Sequence, residues 1–149
     1  SRGSIAVCDS TGNIELIENR EGVSWIQQRI LELHRRWKGS VIVDGYGPAS
    51  SFVDPLKALG VPIVVYRTAD VVAACALFYD AVLDKAIKVK SDDRLDKAIA
   101  AATRRAVGQT WLFQRNTPDA DISPLYAALL AWHSATQKKS AVKSRSAIY

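Results

Sequence analysis

Methionine is absent from the 149 residues, so Ser1 is not a translation start and the chain is expected to be a piece of a longer protein. Cysteine is scarce. Cys8 and Cys75 stand alone in apolar segments, with no second Cys or His at ligand spacing, which reads as buried thiols in a reducing compartment. The only histidines, His34 and His133, make a zinc site a poor expectation. No apolar run reaches the ~18 residues of a membrane span. The longest, Val71 to Tyr79, is bounded by Asp70 and Asp80. No secretory pattern opens the chain, and no Ser-His-Asp or Cys-His spacing suggests a nucleophile.

Acids are also missing from one region. None follows Asp121, whereas Lys138, Lys139, Lys143 and Arg145 do, so the tail carries most of the net charge of +5. The rest of the chain is nearly balanced. A composition of 48% hydrophobic and 23% charged residues is that of a folded globular domain.

The order of apolar patterns predicts an α/β fold. Ser4 to Cys8 and Asn13 to Glu18 read as strands joined by the turn Asp9-Ser-Thr-Gly-Asn13. Val23, Ile26, Ile30, Leu33 and Trp37 recur at helical spacing, and Gly39 ends that helix. Val41-Ile-Val-Asp44 is a buried strand that closes on an acid. A helix over Phe52 to Leu59 and a strand over Pro62 to Tyr66 follow. A further helix begins near Thr68, and Lys85 to Lys90 is a short basic segment. Another helix is expected after Ser91, a strand over Thr110 to Arg115, and a last helix opened by Ser123-Pro124. From Thr136 the sequence is polar and reads as a flexible basic tail, giving a body of residues 1–135 and a tail of 136–149.

Asp44 is the first candidate for chemistry, because open α/β sheets place their sites at the carboxyl ends of strands. A cap or turn role satisfied by the following glycines is the alternative. Gly45-Tyr-Gly-Pro-Ala-Ser50 lacks the residues of a nucleotide-phosphate loop and reads as a tight turn. Asp119 and Asp121 precede the last helix, where its dipole favours acids. They could also join Asp44 in holding a hard divalent cation. Asp92, Asp93 and Asp96 read as helix-start acids. Lys85, Lys88, Lys90, Arg94, Arg104, Arg105 and Arg115 could track a phosphate backbone or simply be solvated.

The runs Val41-Ile-Val-Asp-Gly-Tyr-Gly-Pro48, Pro62-Ile-Val-Val-Tyr66 and Ala73-Ala-Cys-Ala-Leu-Phe-Tyr-Asp-Ala-Val82, with the closing Asp119-Ala-Asp-Ile-Ser-Pro-Leu-Tyr-Ala-Ala-Leu-Leu-Ala-Trp132, form an ordered series. Together they resemble the C-terminal nuclease domain of tailed-phage large terminase subunits, of the actinobacterial phage and prophage type. The resemblance spans about residues 3 to 135. It implies a ribonuclease H-like mixed β-sheet flanked by helices. It also implies a metal-dependent DNA endonuclease that cuts concatemeric double-stranded DNA with two Mg²⁺ or Mn²⁺ ions.

In the family three acids hold the metals. By that correspondence Asp44 is the second and Asp121 the third, with Asp119 as an auxiliary ligand. Lys88, Lys90, Arg104, Arg105 and Arg115 would face DNA. The implied partners are the ATPase part of the same polypeptide, the small terminase subunit and the phage portal, in the cytoplasm of a bacterial host. The strand that carries the family's first acid has no counterpart upstream of the hairpin. It would lie centrally, between the hairpin and Val41–Asp44. Asp9, in the hairpin turn, is not assigned its role. Two other readings stay open: a non-catalytic docking or DNA-guiding module, and a junction resolvase of the same fold class.

Overall fold

A computed structural model describes residues 2–116, 118–137 and 144–149. The chain opens with an antiparallel hairpin, β1 (Arg2–Asp9) and β2 (Asn13–Glu21). Its turn is fixed by the Asp9 carboxylate, which accepts from the backbone N–H groups of Thr11 and Asn13 and from both of their side chains. These bonds, the Thr11 hydroxyl first, lower the Asp9 pKa to about 2. Gly12 takes the φ of 90° that closes the turn.

Helix α1 (Ile26–Trp37) buries the predicted stripe of Ile26, Ile30 and Leu33. Then come β3 (Val41–Asp44), a 3₁₀ turn over Pro48–Phe52, α2 (Val53–Ala58) and β4 (Ile63–Tyr66). Helix α3 (Thr68–Leu83) follows, with Asp70 accepting from the Arg67 N–H at its start. The basic segment becomes β5 (Lys88–Val89). Helix α4 (Asp93–Ala101) is capped by Asp92, one residue beyond the expected Ser91. Next is a separate hairpin of β6 (Arg104–Val107) and β7 (Thr110–Phe113). Strand β6 was not expected, because Arg104-Arg105 reads as the end of a helix. Its partner β7 and the Gly108 turn (φ 60°) draw it into a ladder instead.

Helix α5 (Ser123–Gln137) buries the expected Leu125, Ala128, Leu129 and Trp132, and its other faces too. It lies between the sheet and a second layer of α3, α4 and β7, and a helix covered on all sides is apolar all round. No helix among the described residues is long and apolar enough to cross a membrane.

The expectation for the tail is corrected. Thr136 and Gln137 extend α5, and Ser144–Ile148 form β8 in the middle of the sheet. Residues 138–143 lie outside the described residues. The strand order is β4-β3-β8-β1-β2-β5. Strand β8 runs parallel to β3 and antiparallel to β1, so it takes the central position that the sequence left without a strand. The physical reason is twofold. Without it, the facing backbone groups of β1 and β3 would be buried and unpaired. The tail ends in Ala147, Ile148 and Tyr149, all buried, and these alternate across the sheet. Ile148 joins α1, Ile5 and Val43 on one face, and Ala147 and Tyr149 join α5 on the other. Burying Ile148 and Tyr149 contributes about 1.5–3 kcal/mol each, and each ladder hydrogen bond about 0.5–1.5 kcal/mol.

Candidate active site

The strand registers put Asp44 beside Tyr66 of β4, Val43 beside Ile148 of β8, and Ser4 beside Asn19 of β2. Tyr149 follows β8, and its N–H donates to the Ser4 carbonyl at 2.9 Å. One row of side chains therefore crosses the α5 face of the sheet: Tyr66, Asp44, Tyr149, Ser4 and Asn19. It lies at the carboxyl end of β3, where the sequence places a site.

Asp44 is buried, 1% exposed. Its Oδ1 accepts from the Tyr46 N–H at 2.9 Å. Its Oδ2 is held by Arg115, with Nε and Nη2 both at 2.9 Å. Burial alone would lower the Arg115 pKa, but the charge of Asp44 and its hydrogen bond outweigh it and the net shift is upward. Gly45 and Gly47 allow the turn after Asp44 to lie flat. A Cβ on Gly45 would come within 2.9 Å of Val65 Cγ1, and one on Gly47 within 3.0 Å of Tyr149 Cε2.

Asp121 sits at the start of α5, and its Oδ1 accepts from the Ser123 N–H at 3.0 Å. This is the helix-start role the sequence allowed. Its Oδ2 accepts from Asn19 Nδ2 at 2.7 Å and lies 3.6 Å from Arg2 Nε. Asn19 also donates to Ser4 Oγ, which is 2.7 Å from Ser123 Oγ. Asp44 and Asp121 thus reach the same end and face of the sheet. Strand spacing puts about 10 Å between Asp44 and the Ser4 end of that cluster, and Tyr149 fills the interval. Its ring stacks on Tyr126 with centroids 4.4 Å apart. Its hydroxyl is buried near the Arg115 guanidinium, and burial, the largest influence, pushes its pKa up.

The carboxylates as arranged do not fit a two-ion site. Asp44 is already neutralised by Arg115, each oxygen of Asp121 already accepts a hydrogen bond, and an aromatic ring stands between them. Among the described residues, no group of three or more His, Cys, Asp or Glu side chains could hold a metal ion. Asp119 lines the same cleft of about 480 Å³ as Asp121, together with Arg2, Arg94 and Lys97.

The basic candidates are dispersed. Arg115 is turned onto Asp44. The Arg104 guanidinium lies 4.2 Å from the centre of the Tyr79 ring and 4.3 Å from that of Trp111. Arg105 is exposed on the same hairpin strand. Lys88 and Lys90 lie near the Asn13 end of β2. Six residues along that strand separate Asn13 from Asn19, so they are about 20 Å from the acids. Lys90 is also 3.6 Å from Glu15. The residues missed by sequence reasoning are Tyr149, Ser4, Asn19 and Arg2. None carries a local motif, and only the pairing of distant strands brings them to Asp44 and Asp121.

A six-stranded mixed sheet covered by helices, with acids at the end of β3 and the start of α5, defines a ribonuclease H-like α/β fold of the terminase nuclease type. The chain superposes on a crystal structure of the large terminase nuclease from thermophilic phage G20c with bound magnesium, at a TM-score of 0.67 and 16% identity. That match covers 87% of this chain and 73% of the other. A second structure of the G20c large terminase nuclease matches at a TM-score of 0.65 and 16% identity, over 90% and 75% of the two chains. No family model and no curated protein matches the sequence.

Proposed function

We propose that the chain is the DNA-cleaving module of a phage packaging motor, a divalent-metal-dependent endonuclease whose catalytic acids include Asp44 and Asp121. One observation carries this reading. Two acids 77 positions apart in sequence are delivered to one end and one face of a sheet whose fold is shared with terminase nucleases. Asp119, in the cleft beside Asp121, is the auxiliary acid. Arg2, Arg94 and Lys97 give that cleft a cationic wall suited to phosphates, and contacts to phosphates carry no base information. Cleavage is therefore expected to be largely independent of sequence. Arg104 and Arg105 extend the basic surface, whereas Lys88 and Lys90 would meet only a duplex that continues past the far end of the sheet. Double-stranded DNA is the substrate. The ATPase part of the motor, the small subunit and the portal are its partners, in the host cytoplasm.

The arrangement of Arg115 and Tyr149 favours a second reading, a non-catalytic platform that guides DNA. Nicking of supercoiled plasmid with Mg²⁺ or Mn²⁺ separates the two. The nuclease reading expects slow nicking that falls at least tenfold in Asp121→Asn. Undiminished nicking in that variant contradicts it.

A further inference from the structure

The sheet ends on one side in β4, whose single neighbour among the described residues is β3. We propose that the free edge of β4 is a docking surface for a second copy of this chain. That copy adds its own β4 antiparallel to the first, across a twofold axis at Val64. The inference goes beyond the nuclease reading and does not depend on it.

The bonds to β3 show which backbone groups are free. The Val41 N–H donates to the Pro62 carbonyl and the Gly45 N–H to the Tyr66 carbonyl, both at 2.9 Å. Backbone groups alternate in direction along a strand. Pro62, Val64 and Tyr66 therefore face β3, and Ile63 and Val65 turn their N–H and C=O groups outward. The flanks are closed. The Val61 N–H donates to the Leu56 carbonyl at 3.1 Å, and the Arg67 N–H to Asp70 Oδ2 at 3.0 Å. The free stretch is thus symmetric about Val64. An antiparallel second copy sets Ile63 opposite Val65 of that copy, and Val65 opposite its Ile63, so each outward N–H meets a C=O. At the axis Val64 meets its own counterpart, with Cα atoms about 4.5 Å apart. This self-complementarity favours a copy of the chain over an unrelated strand. The side chains agree with it. Val64 is 39% exposed, Val65 40%, and Leu59, just past α2 on the way into β4, 51%. No charge or proline within Ile63–Tyr66 guards the edge, the usual defence against such pairing. The contact is short, so the dimer is weak and reversible.

Sedimentation equilibrium of the chain over a range of concentrations tests the proposal. The expected result is a reversible rise from 16.3 kDa toward twice that mass. Val64→Lys and Val64→Glu each set like charges against one another at the axis. Either alone should weaken association at least tenfold, and an equimolar mixture of the two should restore it. A chain still monomeric at about 1 mM overturns the proposal. So does a dimer that both substitutions leave unchanged, or a mixture that associates no better than either variant alone. If a variant fails to fold by circular dichroism, amide hydrogen exchange on the unaltered chain decides. The Ile63 and Val65 amides should exchange at least fivefold more slowly at a concentration that gives dimer than in dilute monomer. Equal rates at the two concentrations overturn it. None of these readouts involves DNA or a metal ion, so the nuclease reading stands or falls separately.

Discussion

Arg115 holds Asp44 through two nitrogens, Nε and Nη2, each 2.9 Å from Oδ2, and this one contact ties β3 to the segment after β7. The pair is largely buried. Removing one partner leaves the other's charge without compensation, at about 3–5 kcal/mol. Arg115→Ala should therefore lower the urea midpoint strongly. Adding Asp44→Ala should recover part of the loss, because the stranded charge goes with it. A loss under about 1 kcal/mol in Arg115→Ala would show that the pair is solvated.

Gly47→Ala reports on the seat of Tyr149. The new Cβ would meet Tyr149 Cε2 at 3.0 Å and Asp44 Cβ at 3.2 Å. Overpacking of this kind costs about 1–3 kcal/mol. In a Tyr149→Ala background most of that penalty should vanish. Equal penalties in the two backgrounds, measured by denaturant unfolding, would mean that Tyr149 is not where the structure puts it.

The hairpin turn has its own pH signature. The Asp9 pKa is lowered from 3.8 to about 2, so its contribution to stability is present above about pH 4 and is lost as pH falls toward 2. Asp9→Ala should melt lower than the parent at pH 7, and the two melting temperatures should converge between pH 4 and 2. A constant difference across that range would contradict the assignment.

Both thiols are buried, and desolvation raises their pKa values, Cys8 to about 12 and Cys75 to about 11. At pH 8 the folded protein should react with iodoacetamide at least 100-fold more slowly than it does in denaturant. Modification of either cysteine at the rate of a free thiol would show that its segment opens.

Much of the fold was legible because local patterns and tertiary environment agree. The stripe of Ile26, Ile30 and Leu33, the run Val41–Asp44 and the Ser123-Pro124 helix start all appear where periodicity and capping place them. The tail was not legible. Six residues with one isoleucine and one tyrosine read as solvated by composition, and only the unpaired edges of β1 and β3 make them a strand. Strand β6 was hidden for a similar reason, since Arg104-Arg105 becomes a strand only because β7 returns beside it. At the site, Asp44 was visible from the strand it closes. Its partner Arg115 and its neighbour Tyr149 come from distant segments and had no local signal. Reading Lys88 and Lys90 with the acids assumed one basic face, but β2 separates them by its length.

The central claim is that Asp44 belongs to a nuclease. The measurement that tests it most directly is a time course of supercoiled plasmid nicking in Mn²⁺, comparing the chain with Asp44→Asn, each checked for folding by circular dichroism. The account predicts slow nicking by the chain, at least tenfold slower in the variant and abolished by chelator. Nicking at equal rates in both proteins, or none in either, would contradict it.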